Sequence, residues 1–107
     1  NIDVSKFHFK SFLEGDESWI NGDTMRARAV TLKGNFGLSD VPQFLAQQAK
    51  IPVDLRGKYI VFPATKLRAS NGLIRVPCLY FNGDRWVLYF SWLDSLFFDN
   101  GRVACSE

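Results

Sequence analysis

Residues 66–92 read KLRASNGLIRVPCLYFNGDRWVLYFSW, and this stretch decides the predicted fold class. Runs of apolar, β-branched and aromatic residues lie on both sides of Asn71-Gly72 and of Asn82-Gly83. A two-residue type I′ turn needs a positive φ at both central residues, and Asn-Gly tolerates this best. The stretch therefore predicts three consecutive antiparallel strands joined by two tight hairpin loops.

Two-residue loops also predict the register and the two faces of this meander. Arg68 is expected to face Arg75 across the first loop, and Arg75 to face Phe90 across the second. Side chains alternate between the two sides of a sheet. One side is then an apolar core face made of Leu67, Ala69, Ile74, Val76, Cys78, Tyr80, Val87 and Tyr89, with Arg85 near the turn. The other side mixes cations with large rings and consists of Lys66, Arg68, Leu73, Arg75, Pro77, Leu79, Trp86, Leu88, Phe90 and Trp92.

Two more Asn-Gly pairs, at 21–22 and 100–101, predict hairpins outside this stretch. The first would lead into a strand over residues 24–33, in which Arg26 and Arg28 share one face. The second would join short strands near 96–98 and 103–105. Apolar runs predict further strands near 4–13 and 58–62.

One helix is predicted, from about residue 41 to residue 50. Asp40 can cap it, Gln43 can complete a capping box, and Pro52 marks its exit. The sequence thus predicts an α+β fold that is mainly antiparallel β. The expected form is a twisted meander or small half-barrel of about six to eight strands, with one short helix between the second and third main strands.

The composition is typical of one globular domain spanning residues 1–107. Apolar residues make up 47% of the chain and aromatic residues 15%, which suffices for a core in a short chain. No segment approaches the roughly 18 consecutive apolar residues of a membrane span, and no signal peptide is visible. The expected location is therefore the cytoplasm, without a membrane partner. Asn1 in place of an initiating Met indicates a processed chain or a fragment.

The charge of the chain is unevenly distributed along the sequence. The net charge is only +2, but residues 24–83 contain nine basic and two acidic residues and carry +7. Within this segment Arg26 and Arg28, and likewise Arg56 and Lys58, are two residues apart, which places each pair on one face of a strand. The segment therefore predicts a basic surface.

Cations beside exposed rings on a sheet are typical of single-strand binding, because bases stack on the rings while Arg and Lys contact phosphates. The predicted Arg68–Arg75 pair also favours a bound anion, since facing like charges destabilise a sheet. The predicted function is a nucleic-acid-binding module that prefers single-stranded DNA or RNA to duplex. Its predicted binding residues are Arg26, Arg28, Arg56, Lys58, Lys66, Arg68, Arg75, Trp86, Phe90 and Trp92.

The same aromatic face allows two alternatives. Its alternating rings could be core, covered by another element while the cations extend to the rim. Alternatively, a partner protein or a second copy could bury the face, which would make the chain an inhibitor, an adaptor or an oligomer subunit. Phosphate-driven binding weakens steeply with salt, whereas an aromatic protein interface does not, so salt dependence separates the two functions.

No catalytic residue, metal site or cofactor site is predicted, and enzyme activity is not expected. His8 is the only histidine, and Cys78 and Cys105 are the only cysteines. These three residues do not supply a structural zinc site by themselves. Both cysteines are expected to be buried thiols.

Overall fold

A mixed β-sheet of six strands forms the centre of the computed structural model, which describes residues 2–106. In chain order the strands are β1 (His8–Lys10), β2 (Trp19–Asn21), β3 (Tyr59–Val61), β4 (Leu67–Arg68), β5 (Ile74–Phe81), β6 (Trp86–Trp92), β7 (Leu96–Phe98) and β8 (Gly101–Cys105). β2 and β7 pair with each other as a separate two-stranded ribbon. Asn1, on which the expectation of a processed chain or fragment rests, lies outside the described residues.

All strand pairs of the central sheet except one are antiparallel. β5 is the longest strand, and it pairs with β6 along most of its length, with β4 near its start and with β3 near its end. β8 lies between β3 and β1, parallel to β3 and antiparallel to β1. The prediction of an α+β fold with mainly antiparallel strands is confirmed. The described strands form an open sheet rather than a closed barrel.

Two α-helices are present among the described residues, where the sequence predicted one. They are α1 (Gly22–Thr31) and α2 (Val41–Ala46). Short 3-10 turns occur at Val4–Lys6, Leu38–Asp40, Gln48–Lys50 and Val53–Leu55. The helix predicted from about 41 to 50 is confirmed over its first six residues, after which the chain tightens into a 3-10 turn.

The strand predicted over residues 24–33 is wrong, because this segment forms most of helix α1. Asn21 forms no hairpin turn: its side chain accepts a hydrogen bond from the N–H of Thr24 at 2.8 Å and caps the helix. Met25 and Ala29, four residues apart, are both 0% exposed and form the buried stripe. The segment is rich in Ala, Arg and Met, which are good helix formers, and its apolar alternation also satisfies a helical period.

Both hairpin loops of residues 66–92 exist, but neither is a two-residue type I′ turn. Each loop asparagine accepts hydrogen bonds from backbone N–H groups later in its loop, Asn71 at 3.0 Å and Asn82 at 2.9 and 3.0 Å. Lys33 is the only non-glycine residue between 2 and 106 with a positive φ, so neither asparagine adopts the type I′ conformation. The asparagine side chains instead stabilise longer loops.

These longer loops change the predicted registers. Arg75 lies opposite Leu67, so the predicted direct pairing of Arg68 with Arg75 is wrong. A slip of one residue turns a strand over, and Arg68 consequently lies on the other face of the sheet. Across the second loop Arg75 faces Trp92 rather than Phe90. This second shift is of two residues and preserves the predicted faces of β5 and β6.

The Asn-Gly pair at 100–101 forms no hairpin either. β7, which precedes it, pairs with β2, and β8, which begins at Gly101, pairs with β1 and β3. Gly101 is required for a packing reason, since the rings of Phe12 and Tyr59 occupy the space that a Cβ would need. The chain here passes from the ribbon into the sheet.

Apolar cores cover both faces of the sheet. The core under α2 and the 3-10 turns is made of Val4, Val41, Phe44, Ile51, Leu55, Ile60, Phe62, Leu79, Trp86 and Ala104. The core under α1 and the ribbon is made of Phe12, Ile20, Met25, Ala29, Val61, Val76, Cys78, Phe97, Val103 and Cys105. A sheet covered on both sides has no fully solvated face. The predicted basic and aromatic face is therefore core at its Trp86 end, where the indole is 2% exposed.

Candidate functional site

The ten predicted binding residues do not form one surface. Two of them, Arg26 and Arg28, lie on α1 and are engaged by other parts of the chain. Arg26 Nε donates to the carbonyl oxygen of Pro63 at 2.9 Å. Arg28 donates to both carboxylate oxygens of Glu17, at 2.6 and 3.0 Å, and lies 3.5 Å from Glu14. The charge of Arg28 is therefore neutralised within the chain.

A second group, on β5 and β6, comes together on one side of the sheet. The guanidinium carbon of Arg75 lies 5.3 Å from the ring centroid of Trp92 and 5.7 Å from that of Phe90. The Nε of Arg75 is buried and has no hydrogen-bond partner among the described residues. The guanidinium thus packs on both half-buried rings as an intramolecular cation–π cluster. Trp86, the third predicted ring, is separate from this cluster and packs against Phe81.

A third group lies at the hairpin between β4 and β5. Lys66 and Arg68 are both exposed. Arg68 Nη1 donates to the carbonyl oxygen of Gly72 at 3.1 Å and so helps to close the loop. Both cations are exposed to solvent, and the β4–β5 strand pairing places no exposed ring beside them.

The remaining two residues, Arg56 and Lys58, line a pocket of about 540 Å³ at the end of the sheet. We call it the tyrosine pocket, and its lining consists of Arg56, Gly57, Lys58, Tyr59, Tyr80, Phe81, Tyr89 and Asn100. Such a volume lies within the range of pockets that bind small ligands. The lining contains two cations, four rings and no carboxylate.

Local structure explains how the two cations reach the pocket. The 3-10 turn Val53–Leu55 is anchored by Leu55, which is buried in the core. The chain then turns through Gly57, and the N–H of Lys58 donates to the carbonyl of Leu55 at 2.9 Å. Arg56 extends across the ring of Phe81, with its guanidinium carbon 4.4 Å from the centroid. Among the described residues, no carboxylate lies within ion-pair distance of Arg56 or Lys58.

The sheet register supplies the three tyrosines. Tyr59 of β3 lies opposite Tyr80 of β5 and beside Gly101 of β8. Tyr80 and Tyr89 make an edge-to-face contact with centroids 5.2 Å apart. Tyr80 is 41% exposed, whereas Tyr59 and Tyr89 are partly buried. One ring therefore remains available to a ligand, held in place by a neighbouring ring.

Burial also raises the pKa of the other two tyrosines. Desolvation is the main cause that raises the pKa of Tyr59, and the nearby carboxylate of Asp99 adds to it. Burial likewise raises the pKa of Tyr89, beside the thiol of Cys78. A tyrosine hydroxyl ordinarily has a pKa of about 10 and is neutral at physiological pH, and burial moves both hydroxyls further in that direction. The charge of the pocket lining is that of Arg56 and Lys58 alone.

Sequence reasoning missed six of the eight residues that line this pocket, all except Arg56 and Lys58. The predicted core face contained Tyr80 and Tyr89, and neither Tyr59 nor Asn100 carried a functional prediction. A signal was present for Tyr59 and Tyr80, which lie near strand ends, since tyrosine combines an apolar body with a polar tip that favours a partly solvated position. Their meeting point with Tyr59 and Asn100 was not visible, because β3 and Asn100 are distant in the sequence from the β5–β6 hairpin that carries Tyr80 and Tyr89.

Other chemistry is sparse in residues 2–106. No group of three or more His, Cys, Asp or Glu residues there is arranged to hold a metal ion. Cys78 and Cys105 are buried free thiols, as expected. None of the described helices has the length and apolarity needed to cross a membrane. Comparison with protein-family models, curated proteins and solved structures found no match.

Proposed function

We propose that this chain binds single-stranded nucleic acid at the tyrosine pocket. The observation that carries the proposal is the presence of two cations without a carboxylate partner among the described residues, Arg56 and Lys58, beside the exposed ring of Tyr80. An unstacked base would pack on Tyr80, and the phosphates on either side of it would contact the two cations. Asn100 would supply an amide for the edge of the base.

The shape of the site supports a single strand rather than a duplex. Bases in a duplex are stacked on each other and expose only their edges in the grooves. A shallow, open pocket with one exposed ring gives access to a base that has been turned out of its stack. The Arg75 cluster suits this role less well, because the guanidinium already covers the rings of Phe90 and Trp92.

The first experiment is fluorescence anisotropy of a labelled oligo-dT of about 12 nucleotides, titrated with the protein at two salt concentrations. The test variant is Arg56→Gln with Lys58→Gln. For a single strand, a plot of the logarithm of the binding constant against the logarithm of the salt concentration has a slope of about −0.7 for each phosphate contact. We therefore expect the double variant to bind more weakly and to reduce the magnitude of this slope by about 1.4. Tyr80→Ala should cost about 1–3 kcal/mol of binding free energy.

The matched control is Lys66→Gln with Arg68→Gln, which removes the same charge from the exposed β4 segment outside the pocket. This control should retain most of the affinity. Loss of binding in the control alone would assign the contact to β4 instead. Absence of salt-sensitive binding by the unmodified protein would refute the proposal as a whole.

A protein-interaction domain is the second candidate, and a specific observation favours it. Arg75, Phe90 and Trp92 form a partly exposed cluster of the residue types that dominate protein hot spots. A partner that buries this cluster would bind with little dependence on salt. Trp92→Ser should then weaken partner binding and leave oligonucleotide affinity unchanged, which distinguishes the two candidates.

A further inference from the structure

The outer face of the β2–β7 ribbon is an exposed apolar surface. Residues alternate in exposure along both strands, and the inward side chains of Ile20 and Phe97 are buried. Trp19 lies directly opposite Phe98, and the two are 51% and 46% exposed. Leu96 adds a third apolar side chain at 43% exposure. Exposed apolar patches rimmed by polar residues mark interaction sites.

The chain around this ribbon face is acidic. The two segments that carry the ribbon, residues 11–25 and 86–101, contain no Lys or Arg. They contain six carboxylates, namely Glu14, Asp16, Glu17, Asp23, Asp94 and Asp99. Of these, Asp16, Asp23, Asp94 and Asp99 are exposed, so their charge reaches the solvent around the ribbon.

Three neighbouring cations offset this charge only in part, and the first of them, Arg68, donates to the carbonyl oxygen of Gly72 at 3.1 Å. Arg28 is engaged by Glu17 and Glu14. Arg102 Nη1 donates to the backbone carbonyls of Asp99 and Gly101 rather than to a carboxylate. The positive end of α1 stabilises Asp23 in its first turn. The remaining carboxylates leave the rim of the ribbon face negative.

A cavity extends the surface beyond the ribbon. It measures about 460 Å³ and is lined by Asn21, Gly22, Asp23, Gly72, Leu73, Ile74, Leu93 and Asp94. Asn21 belongs to both features, since it lies opposite Leu96 in the ribbon. The lining is apolar apart from backbone, Asn21 and two carboxylates, and Leu73 is 44% exposed. The face therefore combines exposed apolar side chains with a recess that is lined by two carboxylates and has the guanidinium of Arg68 at its Gly72 edge.

We propose that the ribbon face is the docking site for a cationic amphipathic segment of a partner protein. Apolar side chains of the segment would pack on Trp19, Phe98 and Leu96. Its Lys or Arg residues would face the acidic rim and enter the recess beside Asp94. Complementary charge gives such contacts specificity and speeds association. The proposed ligand differs from that of the tyrosine pocket, and the two sites adjoin where the N–H of Phe98 donates to the hydroxyl of Tyr59 at 3.1 Å.

The negative rim also disfavours the other molecules that could bind this apolar face. Nucleic acid and anionic lipid would be repelled by the carboxylates. A second copy in a symmetric dimer would place the same patch on both sides of the interface and bring the two acidic rims together. A cationic segment is the occupant that satisfies both the apolar face and its rim.

The probe is an amphipathic Lys/Leu peptide, compared with a Glu/Leu peptide of the same pattern. Binding is measured by shifts of the backbone amides of the ¹⁵N-labelled chain. We expect the Lys/Leu peptide to shift residues 19–21, 96–98 and 72–74, and the Glu/Leu peptide to leave them unchanged. Equal binding of both peptides, or shifts centred elsewhere, would overturn the proposal.

Three pairs of substitutions test which side chains of this surface bind the Lys/Leu peptide. Trp19→Ser with Phe98→Ser should weaken Lys/Leu peptide binding by about tenfold or more. The matched control is Val30→Ser with Val53→Ser, which removes two exposed apolar side chains at 59% and 67% exposure outside the ribbon. Asp94→Lys with Asp99→Lys keeps the apolar face intact and leaves the exposed carboxylates of Asp16 and Asp23 against two new lysines. The preference for the Lys/Leu peptide should then disappear, and a preference that survives these substitutions contradicts the proposed role of the rim.

Self-association is examined by sedimentation of the unmodified chain. We expect no dimer that depends on the ribbon face. A dimer that Trp19→Ser with Phe98→Ser abolishes would identify a second copy as the occupant and would overturn the assignment of a cationic partner.

Discussion

Arg28 illustrates how a single residue changes its role between sequence and structure. As a basic residue two positions from Arg26, it suggested a nucleic-acid contact. In the structure its guanidinium bonds the carboxylate of Glu17 and the carbonyl of Phe12, at 2.6 and 3.0 Å for Nη1. It thereby attaches the acidic segment 14–17 to helix α1. Planar two-oxygen contacts of this kind are the strong form of an ion pair.

This contact predicts a specific pH dependence. Hydrogen bonds from Arg28 and from the backbone of Glu14 lower the pKa of Glu17 to about 2. The carboxylate therefore stabilises the native state above the unfolded pKa of about 4.3, and this contribution is lost as pH falls below that value towards the folded pKa. We expect Glu17→Gln to lower the free energy of unfolding at pH 7 and to have a much smaller effect near the folded pKa, as measured by urea denaturation.

The control for this prediction is Asp16→Asn, which removes a neighbouring exposed carboxylate. It should show no comparable loss at pH 7. An equal loss for Glu17→Gln at both pH values would mean that the glutamate acts through packing rather than through its charge.

At the scale of the element, helix α1 shows that Asn-Gly has more than one structural use. The dipeptide suggested a hairpin at 21–22, but Asn21 caps a helix there. Asparagine serves both roles, because its side-chain oxygen accepts backbone N–H groups in turns and at helix starts alike. The run of residues 25–29 consists of good helix formers, but its apolar alternation also fits a strand. The burial of Met25 and Ala29 together in the core decides for the helix.

The cap predicts a measurable contribution to stability. We expect Asn21→Ala to lower the free energy of unfolding by about 1 kcal/mol, because the N–H of Thr24 loses its acceptor. Asn35→Ala, in an exposed loop, is the control and should change it by no more than about 0.5 kcal/mol. Both values come from urea denaturation followed by circular dichroism. Indistinguishable results for the two variants would refute the capping role.

At the scale of the whole molecule, the sheet lies between two apolar cores. Cys78 and Cys105 both belong to the core under α1 and are 0% exposed. Burial raises the pKa of the Cys78 thiol to about 12, and it also raises that of Cys105. The reactive thiolate is therefore both inaccessible and scarce at neutral pH.

Thiol labelling tests this arrangement. We expect neither cysteine to react with a disulfide reagent in the native protein on the time scale of minutes, and both to react at once in denaturant. The native rate should follow the global opening of the core as denaturant is raised. Rapid labelling of one thiol under native conditions would show that its side of the sheet opens locally.

The predictability of the fold differs between its parts for physical reasons. The β5–β6 hairpin and helix α2 were predicted because turn-forming residues and hydrophobic period act within a few residues. The predicted cap of α2 is wrong, since the carboxylate of Asp40 accepts a hydrogen bond from the N–H of Gly37 and the side chain of Gln43 accepts one from the N–H of Ile2. The side of the sheet on which β4 places Arg68 was not predicted. It depends on one residue of loop length, and a single slip turns every side chain of the strand over.

The candidate sites were less predictable than the fold. The sequence placed Arg75, Phe90 and Trp92 on one face, where the structure also has them, because β5 and β6 are neighbours in the chain. The sequence also selected Arg56 and Lys58, but it did not select the aromatic rings that line the tyrosine pocket with them. The tyrosine pocket and the ribbon face both arise from strands that pair across long stretches of sequence.

By itself, the sequence determined the antiparallel strands at 74–81 and 86–92, the helix beginning at 41, and the burial of both cysteines. These features arise from local hydrogen bonding and from the removal of apolar side chains from water. Only the tertiary structure decided that residues 22–31 form a helix, that Trp86 is core, and that Tyr80 stands exposed beside two cations. Those outcomes depend on which distant segments cover each face of the sheet, and burial is a property of the assembled layers rather than of any one segment.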